Sequence, residues 1–287
     1  MPNLYVVATP IGNLEDITLR ALRVLREVRL IAAEDTRKTK RLLNAYDIRT
    51  PMTSYHEHNK KTKLDHILNY LQAGDVALVS EAGMPGVSDP GYELIRAANQ
   101  AGIPVVPVPG SSAVITALVV SGLPTDRFLY LGFLPRRASA RKQALESVVQ
   151  ETGTLVILEA PHRLQPTLHD LKLVFGDRQL AVCRELTKLH EEVFRGSISQ
   201  AIARFTEPRG EFTLVIAGKE AEKEQKANSD IEKKLREMYQ SGVKAKEAIA
   251  RVADETGLSR RELYRAWLKM NRAPETKNNP CHSLKRS

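Results

Sequence analysis

Several short segments concentrate groups able to bind or activate a ligand. The most unusual is Ser80-Glu81-Ala82-Gly83-Met84-Pro85-Gly86-Val87-Ser88-Asp89-Pro90-Gly91, in which acidic and hydroxyl groups stand beside small residues. Its three glycines permit close backbone approach and its prolines stiffen the loop. Such a segment can present amides and carbonyls to a ligand with no bulky side chain between them, although a tight strand-to-helix connection would also use these residues. The glycine spacing is not G-x-G-x-x-G, and no G-x-x-x-x-G-K-[ST] occurs, which argues against NAD, FAD and ATP as cofactors. In Pro107-Val108-Pro109-Gly110-Ser111-Ser112-Ala113, either serine could cap a helix whose amides face a ligand, or do no more than cap it. Ala33-Glu34-Asp35-Thr36-Arg37 sets two carboxylates beside an arginine, and Ser54 to Asn59 carries groups suited to sugar or base edges. Glu159-Ala160-Pro161-His162-Arg163 and Arg184-Glu185-Leu186-Thr187-Lys188 each pair a carboxylate with cations, as structural ion pairs also would. No Cys/His cluster has metal-ligand spacing, so no metal site is expected.

The elements that must position these groups follow from hydrophobic patterning. Leu4 to Thr9, Leu30 to Ala33, Val76 to Val79 and Ile103 to Val108 read as buried strands. Between them, Ile17, Ala21, Val24, Leu25 and Val28 keep helical spacing with Asp16 as the expected cap, and Ala113 to Val120 reads as an apolar helix. Alternating strands and helices predict a parallel sheet covered on both faces, with ligands bound outside the carboxyl ends of its strands. The Gly-, Pro- and charge-rich segments fall at those ends. Gly122 to Asp126 reads as a hinge into a second α/β unit, with strands at Phe128–Leu131, Thr154–Leu158, Leu180–Cys183, Val193–Gly196 and Glu211–Ala217. The expected division is therefore residues 1–123, 124–218, a charged linker at 219–230, a helical unit at 231–270 and a disordered tail at 271–287. In the helical unit, Ala245, Ile249 and Val252 form a stripe, Thr256 to Ser259 a turn, and Arg260 to Lys269 a second, basic helix, a helix-turn-helix pattern.

No apolar run approaches the length of a membrane span, no secretory leader is evident, and the two cysteines, Cys183 and Cys281, suit free thiols in a reducing compartment; a cytoplasmic protein is expected. The net charge is +9, unevenly placed. Residues 219–287 hold 17 Lys/Arg against 11 Asp/Glu, whereas residues 1–218 hold 26 against 23. A local basic excess suits a polyanion.

Eight segments together carry a resemblance: Thr9-Pro10-Ile11-Gly12-Asn13-Leu14, Ala33 to Arg37, Ser80 to Gly91, Gly122 to Phe128, Gly132-Phe133-Leu134-Pro135, Glu159 to Leu164, Arg184 to Lys188, and Gly210-Glu211-Phe212. In order and spacing, residues 3–218 resemble the ribosomal small-subunit methyltransferase I family of the tetrapyrrole-methylase-like (class III) methyltransferases. The resemblance implies two α/β domains with S-adenosylmethionine (SAM) in the cleft between them, a homodimer, and 2′-O-methylation of a cytidine in the decoding region of 16S rRNA, free or in the 30S subunit. It places the cofactor against Pro10, Ser80, Glu81, Ala82, Gly83, Met84, Pro85, Ser111, Ser112 and Ala113, with Leu158, Leu186 and Phe212 from the second domain. Members usually carry Asp at Glu81 and Thr at Met84.

Methyl transfer to a ribose hydroxyl needs alignment and a proton acceptor. Glu34, Asp35, Glu159 and Glu185 are the candidate bases, with Lys188 as a candidate partner in catalysis. Arg37, His162 and Arg163 in the body, and Arg260, Arg261 and Arg265 in the basic unit, are the candidate substrate contacts. Two other readings stay open: a methylase of small tetrapyrroles, and a nucleic-acid-binding regulator whose α/β body senses a ligand.

Overall fold

The computed structural model describes residues 2–220, 231, 233–256, 259–260, 263–264 and 267–268. The chain forms two compact units, residues 1–219 and 220–287. In the first, β1 (Leu4–Val7), β2 (Leu30–Ala33), β3 (Met52–Ser54), β4 (Val76–Val79) and β5 (Val105–Val108) make a sheet in the order β3-β2-β4-β1-β5. Every pair in it is parallel. Because side chains alternate across a strand, two cores form. Val7, Ile31, Ala33, Ala77, Val79 and Val108 pack under α1 (Leu19–Glu27). Leu4, Leu30, Ala32, Val76 and Leu78 pack against the buried residues of α3 (Lys60–Ala73) and α4 (Tyr92–Gln100). This explains why these strands read as unbroken apolar runs.

Local chemistry fixes where the helices begin. The cap of α1 is Thr18, whose hydroxyl accepts the Ala21 amide at 3.1 Å. The expected cap, Asp16, instead lies in a single 3-10 turn, Leu14–Asp16, that Asn13 caps. Asp35 caps α2 (Thr36–Ala45), accepting the Arg37 and Lys38 amides at 2.8 and 3.3 Å. Ser112 caps α5 (Ala113–Ser121) through the Ile115 amide. The sequence reading assigned neither β3 nor α2, α3 and α4. The reason is visible in α2, which buries only Thr39, Leu42 and Leu43 and is otherwise cationic, and in β3, three half-buried residues at a sheet edge.

After Gly122, which takes the left-handed conformation that ends α5, a second sheet follows. It contains β6 (Phe128–Phe133), β7 (Thr154–Glu159), β8 (Gln179–Arg184), β9 (Glu192–Ser197) and β10 (Phe212–Ile216) in the order β6-β7-β10-β8-β9. Only β6 and β7 are parallel; the other three pairs are antiparallel. One face packs on α6 (Ala138–Glu146), α7 (Pro161–Phe175) and α8 (Ile198–Arg204). The other face, with Val156, Ala181, Cys183 and Val215, packs on Ala117 and Leu118 of α5 and on Ile11. The helix that closes the first sheet is therefore also the floor of the second.

In the second unit, residues 233–240 are helical, a helix the sequence reading did not assign, and α9 spans Ala245–Thr256. Leu235, Ala248, Ile249, Val252, Leu263 and Trp267 form its core. Residues 257 and 258 of the expected turn, Arg261, Arg265, and the expected tail and most of the linker lie outside the described residues.

Candidate active site

The carboxyl ends of β1, β2 and β4 face β6, β7 and β10 across a cavity of about 760 Å³, within the range of about 300–1,000 Å³ usual for ligand sites. Its first wall is the turn after β1 (Thr9 to Gly12), the ends of β2 and β4, and the start of α5; its second is Tyr130, Phe133, Leu158, Glu159, Leu186 and Phe212. The turn and the loop are tied together: the Thr9 amide donates to the Gly83 carbonyl at 2.9 Å, and the Gly83 amide to the Thr9 carbonyl at 3.0 Å. Gly83 has φ +74°, and a Cβ there would meet Ile11 and the Ser111 carbonyl at 3.5–3.6 Å. Thr9 lines the cavity; its hydroxyl is buried and has no hydrogen-bond partner among the described residues.

The electrostatics come from five carboxylates, Glu34, Glu81, Asp89, Glu159 and Glu211, against three cations, Lys38, Arg41 and Lys188. Four of the five are occupied. Glu34 accepts the Glu81 amide at 3.0 Å; burial foremost raises its pKa, against the opposing pull of Lys38. Glu81 pairs with Lys38, and Glu211 with Lys188 at 2.9 Å. Glu159 is buried beneath the first turns of α7, accepting the Thr167 hydroxyl at 2.6 Å and the Ala160 amide at 2.9 Å. Arg163 Nε lies 3.2 Å from Glu159, a charge contact rather than a directed hydrogen bond. Asp89 differs: it makes no ion pair within 4 Å among the described residues. Burial first and the Glu34 carboxylate second push it up to about 6, against the opposing pull of the nearby Ser80 hydroxyl.

Most of the sequence-predicted cofactor residues meet here. Pro10, Ser80, Glu81, Ala82, Gly83, Met84, Ser112, Ala113, Leu158, Leu186 and Phe212 line the cavity; Pro85 is buried behind the loop and Ser111 turns its hydroxyl to the Asp16 carbonyl. Of the expected catalytic groups, Glu34 and Lys188 line it and Asp35 and Glu185 do not. Asp35 is spent on the α2 cap and on Arg37. Glu185 accepts the Lys188 ammonium at 3.0 Å and the Glu211 amide at 2.9 Å; burial raises its pKa, and these bonds outweigh it and leave it lowered. The expected substrate contacts are dispersed. Arg37 is highly exposed outside the cavity, and Arg163 points inward to the Leu134 carbonyl at 2.6 Å. His162 lies beside Pro161 at the start of α7, where Ala160 holds the cap position without a side-chain bond. Arg260 belongs to the second unit. Sequence reasoning missed Thr9, Lys38, Arg41, Asp89 and Tyr130. Asp89 and Thr9 carried a signal, since the first stood in the loop singled out and the second opens one of the eight segments of the resemblance.

A family model for the tetrapyrrole (corrin/porphyrin) methylases matches residues 3–202. A ribosomal RNA small subunit methyltransferase I of Halalkalibacterium halodurans is 47% identical over 272 residues, covering 92% of this chain and 94% of that protein. The Synechocystis protein of the same name is 49% identical, covering 93% and 98%. Its Thermotoga maritima namesake is 50% identical over 223 residues, which cover 77% of this chain and 100% of the relative. In fold, the chain is similar to a uroporphyrin-III C-methyltransferase of Thermus thermophilus, with a TM-score of 0.54 at 22% identity, covering 76% of this chain and 94% of that one. A structure of a Thermus enzyme complexed with S-adenyl homocysteine gives 0.54 at 20% identity, covering 75% and 97%. The expected two-sheet α/β fold and the chain's resemblance are thus both met, and the chain belongs to the ribosomal RNA small subunit methyltransferase I family, within the tetrapyrrole methylases.

Proposed function

We propose that this methyltransferase holds SAM in the cavity of its α/β body and transfers the methyl group to the ribose 2′-hydroxyl of a cytidine in small-subunit rRNA. The observation that carries the cofactor reading is the lining. Apolar side chains from both walls (Ile11, Met84, Val114, Leu158, Leu186 and Phe212) stand beside loop backbone and Thr9. Carboxylates outnumber cations around it, which suits a positively charged sulfonium. SAM, when bound, supplies an electrophilic methyl on that sulfur. The protein's part is to align the acceptor, exclude water and receive a proton.

The polyanion reading rests on α2, whose exposed surface carries Arg37, Lys38, Lys40 and Arg41; Lys38 and Arg41 reach the cavity. Phosphates bound there would bring a nucleotide to the cavity mouth. The homodimer reading rests on α5, which is apolar around its whole circumference, yet exposes Ile115 and Val119; a second copy would cover that stripe. No helix among the described residues is long and apolar enough to cross a membrane, and a cytoplasmic location is the one that an rRNA substrate supports.

The test is methylation with labelled SAM of 30S subunits, naked 16S rRNA and a uroporphyrinogen, followed by nucleoside analysis. Label in a 2′-O-methylated cytidine is expected. Label in a base, or in the macrocycle alone, would overturn the reading.

A further inference from the structure

The sequence left the proton acceptor open among four carboxylates, and the geometry engages each: Asp35 caps a helix, Glu185 lies outside the cavity in a charge cluster, Glu159 is closed in by Thr167, Ala160 and Arg163, and Glu34 is committed through Oε2 to the Glu81 amide. Glu81 and Glu211, the other lining carboxylates, are paired with lysines. Asp89 lines the cavity with no cation against it.

Its placement is built. Ser88 holds φ +66°, a left-handed conformation costly for a residue with a Cβ. Its hydroxyl shares a 2.6 Å hydrogen bond with Tyr130 on β6. Just along the strand, the register of β6 shifts between Tyr130 and Gly132, and Gly132 has φ +63°. A Cβ on Gly132 would come within 2.9 Å of the Ser88 hydroxyl. The second sheet is thus shaped to receive Ser88, and the adjoining Asp89 is pinned at the seam of the two walls. The Ser80 hydroxyl stands near it at the end of β4, where it donates to the Ala82 and Gly83 carbonyls, Glu34 faces it from the end of β2, and Tyr130 from β6.

We infer that Asp89 is the proton acceptor for the attacking hydroxyl, and that the Ser88–Tyr130 latch is what positions it. The inference rests on the methyltransferase reading above. As the oxygen–carbon bond forms, the carbon–sulfur bond breaks, sulfur keeps its electron pair, and the hydroxyl proton passes to the Asp89 carboxylate and then to solvent.

The test uses the full-length chain, its RNA substrate and SAM. Asp89→Asn is expected to lower kcat by about 10²–10⁴-fold while SAM Kd, measured by calorimetry, stays within about threefold, and to abolish the acid limb of the kcat–pH profile. Asp89→Glu keeps that limb. Tyr130→Phe lowers kcat, keeps the limb and leaves SAM Kd unchanged. A readout independent of turnover is the carboxyl carbon resonance of labelled aspartate. One signal is expected to titrate near pH 6, vanish in Asp89→Asn, and titrate lower with SAM bound than with its demethylated product, because the sulfonium charge favours the carboxylate. A kcat within tenfold of wild type for Asp89→Asn, a fall in kcat matched by lost SAM affinity, or an aspartate signal indifferent to the cofactor's charge would each overturn the proposal. Wild-type protein that methylates no ribose would refute the functional reading instead, and the resonance would still report on Asp89.

Discussion

Removal of the Glu159 carboxylate should cripple the fold of the α/β body rather than the chemistry. Glu159 is 2% exposed and holds three groups: the Thr167 hydroxyl, the Ala160 amide and the Arg163 guanidinium. Arg163 in turn clamps the Leu134 carbonyl after β6. Breaking a buried pair by deleting one partner costs about 3–5 kcal/mol, because the other charge is left uncompensated. Each orphaned buried donor adds about 1–3 kcal/mol, partly overlapping that figure. Glu159→Ala should therefore cost about 4–6 kcal/mol, against a total stability on the order of 5–15 kcal/mol. Glu159→Gln keeps an acceptor for Thr167 but removes the charge. Adding Arg163→Met to it should restore part of the loss, since the cation that lacked a partner is gone. The assay is urea denaturation followed by far-ultraviolet circular dichroism. Fluorescence of the single tryptophan, Trp267, reports on the second unit instead. Arg163→Met alone should leave the salt dependence of RNA binding unchanged, because this arginine is spent inside the protein. A loss below about 1 kcal/mol for Glu159→Ala, or strict additivity in the double variant, would refute the reasoning.

Three further outcomes follow from the site. Asp89 carries a pKa raised on folding, from an ordinary 3.8 to about 6, so its contribution to stability is fullest below pH 3.8 and is lost as pH rises through 6. Asp89→Asn, neutral throughout, should then be more stable than wild type at pH 7.5, by about 1–3 kcal/mol, with the gain fading near pH 4; melting curves at the two pH values check this, and an equal difference at both would contradict it. Cys183 is 1% exposed, with its thiol pushed up to about 11 mainly by burial; maleimide at pH 8 should leave it unmodified in peptide mapping, and labelling at the rate of a free thiol would refute the burial. A chain ending at Lys219 should retain SAM binding in calorimetry, since all the lining residues precede that point and the Thermotoga relative is matched over its whole length by 223 residues of this chain; it should lose part of the salt-dependent RNA affinity, and loss of SAM binding would contradict the independence of the body.

What was legible in the sequence divides by the range of the forces involved. The strands of the first sheet were legible because both of their faces are buried, which leaves runs such as Val76-Ala77-Leu78-Val79. Caps were legible only as residue types: Asp16 and Thr18 are both acceptable N-caps, and the choice fell to Thr18 because a 3-10 turn consumes Asp16. Helix α2 was invisible because its buried stripe is three residues wide in a field of charge. The antiparallel half of the second sheet was also invisible, since a short apolar run does not state the direction of its neighbour.

The same limit explains the cofactor residues and the proton acceptor. Backbone-presenting loops announce themselves through glycine and proline, so the Ser80–Gly91 segment could be found, and most of its residues do line the cavity. The role of a carboxylate is set by its neighbours instead, and these are remote in sequence. Glu34 and Asp89 are 55 positions apart, yet the first helps set the proton affinity of the second. Tyr130 stands on the other sheet, and it meets the loop through Ser88, beside the cleared space at Gly132. Glu34, Asp35, Glu159 and Glu185 looked the better bases because each stands at a strand end beside the expected cleft. In the fold each is engaged: Asp35 by the amides of α2 and by Arg37, and Glu185 by Lys188 and the Glu211 amide, bonds that favour the ionised form; Glu159 by Thr167, Ala160 and Arg163, and Glu34 by the Glu81 amide. The acceptor is better sought where the sequence shows an acid without an adjacent base, inside a loop whose glycines let another sheet close over it.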